Sequence, residues 1–106
     1  MMINGRPYSN ENGYIDNGLI TSHPQEDIDT VMNWIAENIS PRKTPLHGHT
    51  SYGIKHLLER DVQIYLTNNE FKDAMLLSGY APIDPNELNW RYRISKKSKA
   101  FQLRSW

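Results

Sequence analysis

Four histidines open the search for chemistry. His47 and His49 flank a glycine in HGH, and His56 follows seven residues later. Three imidazoles at such spacing suit a catalytic zinc, which needs an open fourth position and acceptors behind each ring. His47 and His49 lie in a loop, however, and no carboxylate adjoins them as a general base, so they read as surface histidines. Asp84 and Glu87 resemble a carboxylate pair, but a turn after an extended segment selects such residues anyway. Ser51 near His56 has no third group to orient the imidazole. No set of residues amounts to a catalytic signature, and we expect no enzyme, no metal and no cofactor.

Charge offers a clearer pattern. Residues 1–40 hold one base, Arg6, against six acids, whereas residues 90–106 hold six bases and no acid. Arg91, Arg93, Lys96, Lys97 and Lys99 gather in that basic end, which points to an anionic partner such as phosphate. A second set lies on a predicted helix, where Asn68, Asn69 and Lys72 follow a capping threonine. Amide and ammonium groups at a helix N-terminus are the kind that contact base edges in a groove. Glu70 and Asp73 on the same helix oppose this, since they repel phosphate. The other reading is that the acidic N-terminal half meets a basic host protein.

The elements that would position these residues centre on Tyr65–Tyr80. Thr67 and Glu70 form a capping box, Leu66 and Phe71 a hydrophobic staple, and Gly79 a stop, which together predict a helix over 68–78. Upstream, Ser22 is the expected cap of a helix with Pro24 and Gln25 in its first turn. Its apolar stripe is Ile28, Val31, Met32, Ile35 and Ile39, and Pro41 closes it. Trp34 falls off that stripe. Thr50 or Ser51 caps a second helix running to about Arg60, with Ile54, Leu57 and Leu58 inward and Gly53 placed for a close backbone contact. Val62 to Leu66 reads as a short edge strand. Trp90, Tyr92 and Ile94 alternate with Arg91, Arg93 and Ser95, the pattern of a half-buried strand.

Helix, helix, helix and hairpin is the outline of a winged helix-turn-helix, so the expected fold is α+β, winged-helix-like, over residues 22–106. Residues 1–21, broken by Gly5, Gly13, Gly18 and Pro7, read as a flexible arm, with Tyr14, Ile15, Leu19 and Ile20 available to dock. A chain of 106 residues makes one domain, without cysteine for disulfides. No apolar run approaches the roughly 20 residues of a membrane span, and the N-terminus lacks the pattern of a signal peptide. We therefore expect a cytoplasmic protein.

Residues 49–95 carry a resemblance. The segments TSYGIKHLLER, YLTNNEFKDAMLLSGY and NWRYRI resemble short proteins of Gram-positive phages and integrative elements, and more loosely the winged-helix-like tails of phage-type primases. The resemblance implies a mobile-element setting, where small DNA-binding proteins and small inhibitors of host defence, anti-CRISPR-like proteins among them, are both common. It carries no functional residues over.

Overall fold

The computed structural model describes residues 2–3, 6–7, 18–41, 49–95 and 98–99. A two-residue antiparallel pair, β1 (Met2–Ile3) with β2 (Arg6–Pro7), starts the chain. A 3-10 turn, Ile20–Ser22, leads into α1 (Gln25–Asn38), followed by α2 (Ser51–Val62) and α3 (Asn68–Leu77). The proposed docking of Tyr14 and Ile15 lies outside the described residues.

The third helix forms as its sequence dictates. Thr67 Oγ1 accepts the Glu70 N–H at 3.2 Å, and Glu70 Oε1 accepts the Thr67 N–H at 2.8 Å. Leu66 and Phe71, the two halves of the staple, are both fully buried. At the other end Tyr80 N–H donates to Met75 O and Gly79 N–H to Leu76 O, with Gly79 at φ +93°. That is the paired closure in which a left-handed glycine satisfies the last carbonyls.

The start of α1 differs from expectation. Ser22 belongs to the 3-10 turn rather than capping the helix, and Pro24 precedes the first helical residue without a side-chain cap. Thr50 caps α2, accepting the Gly53 N–H at 3.4 Å. A side chain at Gly53 would meet nothing nearer than that hydroxyl at 3.9 Å, so the expected close contact is absent. Val62–Leu66 is no edge strand, because Gln63 takes a left-handed conformation at φ 58° and turns the chain.

The winged-helix expectation is overturned. Three helices are present, but no β-hairpin follows them among the described residues. Trp90, Tyr92 and Ile94 do alternate inward and are fully buried. Their segment is held by single bridges to three different places: Arg91 to Thr50, Tyr92 to Pro82 and Ile94 to Pro41. It therefore runs through the body as a spine, where a wing would project. The core joins Ile20, Val31, Trp34, Ile35, Ile54, Leu58, Leu66, Phe71 and Met75 to that spine. Trp34, expected off the apolar stripe, is buried and donates its Nε1–H to Asp61 Oδ2 at 2.9 Å. No helix among the described residues is long and apolar enough to cross a membrane.

Candidate functional site

The side chains expected to read a groove are turned inward. Asn69 and Lys72 are buried, and Lys72 lies with its ammonium 4.8 Å from the centre of the Trp90 ring. Asn68 accepts from Ser51 Oγ at 3.0 Å and donates to Leu88 O and Asn89 Oδ1 at 3.1 and 2.9 Å. Asp73 is buried and accepts the Ile20 N–H at 3.0 Å. The cause is position. α3 packs against α1, α2, the 3-10 turn and β2 at once, so its polar side chains meet protein where a peripheral helix would meet water.

The basic end divides. Arg91 is tied to Glu87, with Nε and Nη2 at 3.2 and 3.3 Å from the two carboxylate oxygens. Arg93 and Lys99 are exposed, while Lys96 and Lys97 lie outside the described residues. Asp84 accepts the Asn86 N–H at 2.9 Å, which is turn chemistry. No cluster of three His, Asp or Glu able to hold a metal occurs among the described residues, and His47 lies outside them.

A different surface emerges on α2. Burying Ile54 and Leu58 fixes the helix rotation, which leaves Tyr52, His56 and Arg60, spaced four apart, in solvent. After the turn at Gln63, the Leu66 N–H donates to Glu59 Oε2 at 2.9 Å, returning Tyr65 to the side of α2. The Lys55 ammonium then sits 5.3 Å from both the Tyr52 and Tyr65 ring centres and 3.2 Å from both Glu59 oxygens. His56 completes the cluster. Its ring meets Tyr52 edge-on at 4.4 Å, and its Nδ1 lies 3.3 Å from Glu59 Oε1.

Each cation–π contact contributes about 0.5–2 kcal/mol, more where water is excluded, as around the buried Lys55. The result is two tyrosines, 50% and 75% exposed, braced on a neutralised ion pair. Such side chains lose little rotamer freedom on binding. The sequence signals of this cluster are the Tyr52/His56 and Lys55/Glu59 spacings of four on α2, which belong neither to a catalytic set nor to the basic end.

No family model, curated protein or solved structure matches the chain.

Proposed function

We propose that the chain is a protein-binding module, an inhibitor or adaptor encoded by a mobile element and acting on a host protein in the cytoplasm, and that it binds without catalysing. The braced aromatic surface of Tyr52, His56 and Tyr65 carries this reading. Interface centres are enriched in tyrosine and depleted of net charge, and the Lys55–Glu59 pair cancels the local charge. The outer face of α1 exposes Glu26, Asp29 and Glu37, and the helix contains no Lys or Arg, which suits a basic partner. The phage and integrative-element resemblance of residues 49–95 fits the same setting.

A second reading keeps nucleic acid as the partner, gripped at phosphates by the basic end. The exposure of Arg93 and Lys99 favours it. It has no need of α3, whose polar groups are spent internally.

The test uses the full tagged chain and a Tyr52→Ala/Tyr65→Ala variant, each incubated with host lysate with and without nuclease. A protein retained by the parent after nuclease treatment and lost by the variant supports the protein reading. Retention that disappears with nuclease, together with a steep salt dependence of duplex binding, transfers the function to nucleic acid. No retained protein at all refutes the module.

A further inference from the structure

Beyond the α2 surface, the chain has a cleft where α3 ends. It is open to solvent, offers about 360 Å³ and is lined by Pro41, Ser78, Gly79, Tyr80, Ala81 and Arg93. Three features give it a chemical character. Among the described residues its single cation is Arg93, on the outward side of the alternating segment that buries Tyr92 and Ile94, and exposed. Arg91, two residues earlier, is held by Glu87, whereas Arg93 has no ion pair among the described residues. Beside it the walls are compact and in part apolar, from Pro41, Ala81 and the Tyr80 ring. Tyr80 is itself fixed, donating its hydroxyl to Ile39 O at 3.1 Å. At Gly79, which also lines the cleft, the space where a side chain would stand is open for 4 Å, so backbone is accessible there.

We propose that this cleft binds a carboxylate carried on an apolar body. A planar guanidinium whose donors are unspent among the described residues matches a carboxylate in two parallel hydrogen bonds. The apolar walls accept the rest of the ligand, and the volume falls at the small end of ligand sites. Phosphate fits less well. The carbonyl end of α3 lies at the cleft and presents about half a negative charge, which opposes a dianion more than a monoanion. The same carboxylate can come from a free small acid or from the end of a peptide chain.

The experiment is an amide-resolved NMR titration of the full chain with sodium benzoate, and in parallel with benzamide, inorganic phosphate, and a short apolar peptide as free acid and as amide. Saturable shifts at Ser78, Gly79, Ala81 and Arg93 with benzoate or the free-acid peptide, and not with benzamide or the peptide amide, support the site. Whichever acid binds at least tenfold tighter identifies the source. Arg93→Gln should weaken binding at least tenfold with the spectrum otherwise unchanged, Arg93→Lys should retain part of it, and Arg91→Gln should leave it intact. Shifts that fail to saturate, that persist in Arg93→Gln, or that are matched by phosphate overturn the proposal.

Discussion

Gly18 tests how tightly the N-terminal segment is clasped to α3. A β-carbon at Gly18 would stand 2.8 Å from Glu70 Cγ, 3.0 Å from Thr67 Oγ1 and 3.1 Å from Glu70 Cδ. Carbon atoms rest at about 3.5–4.0 Å, so the overlap approaches a full ångström. The opposing atoms are not loose ends. Thr67 and Glu70 are locked in the capping box, and Glu70 Oε2 lies 3.0 Å from His23 Nε2. Relief must therefore break the box, or lift a segment whose Ile20 is fully buried and bonded to Asp73. Overpacking of this kind costs about 1–3 kcal/mol, and loss of the cap about 0.5–2 kcal/mol. The backbone of Gly18 is not left-handed, so steric overlap alone sets the effect. Gly18→Ala should destabilise by about 2 kcal/mol, lowering the thermal midpoint by roughly 8–16 °C for a domain of this size. Gly53→Ala is the matched control. With open space around it and a helical backbone, it should gain about 0.5–1 kcal/mol. Circular dichroism during thermal and urea unfolding measures both. A Gly18→Ala protein as stable as the parent, or two glycines shifting the midpoint in the same direction, refutes the clasp.

Thr67→Ala should cost about 0.5–2 kcal/mol in urea unfolding, with faster amide exchange at Asn69 and Glu70 as the first turn loses its cap. The Tyr92 hydroxyl is buried and finds no hydrogen-bond partner among the described residues, so Tyr92→Phe should raise stability by about 1 kcal/mol. Burial also pushes the Tyr92 hydroxyl well above its ordinary value. The folded chain keeps a proton that the unfolded chain releases above about pH 10, so parental stability falls as pH rises past that point. The Phe variant, measured by unfolding between pH 8 and 11, should lose less. Tyr52→Ala and Tyr65→Ala each remove one contact with the Lys55 ammonium and should cost about 0.5–2 kcal/mol of stability, leaving the chain folded while weakening partner binding, as melting curves and pull-downs on the same preparations will show.

Local signals were legible, and long-range ones were not. The capping box, staple and glycine stop of α3 involve residues within a few positions of one another, and all three appear where the sequence places them. The alternation of Trp90, Tyr92 and Ile94 likewise predicted which side chains go inward. What alternation cannot encode is the partner of each residue. A hairpin was the nearest pairing available from sequence, yet Thr50 and Pro41, both over 40 residues away, supply two of the three bridges. Gly18 shows the same limit. It looked like loop punctuation, and its reason is an approach to Glu70 across 52 positions.

The inward placement of the α3 polar side chains has one physical root. A polar stripe opposite an apolar one is read as the solvent face, which holds for a helix at the edge of a fold. α3 is central, and its polar side chains act as joints for segments without regular structure. Asp73 holds the backbone of Ile20, and Asn68 holds Leu88, Asn89 and, through Ser51, the N–H of Trp90. Each joint removes a group from water and satisfies it internally, which buried polar groups require. A helix whose amides and carboxylate are consumed in this way has few left for a groove or a partner. α2 is the converse. It satisfies its own ion pair within the helix and spends its outward positions on Tyr52 and His56, with Tyr65 drawn in beside them. Side chains that are both fixed and uncovered suit recognition by contact, and among the described residues α2 presents such a combination, which is why the proposed surface is drawn there.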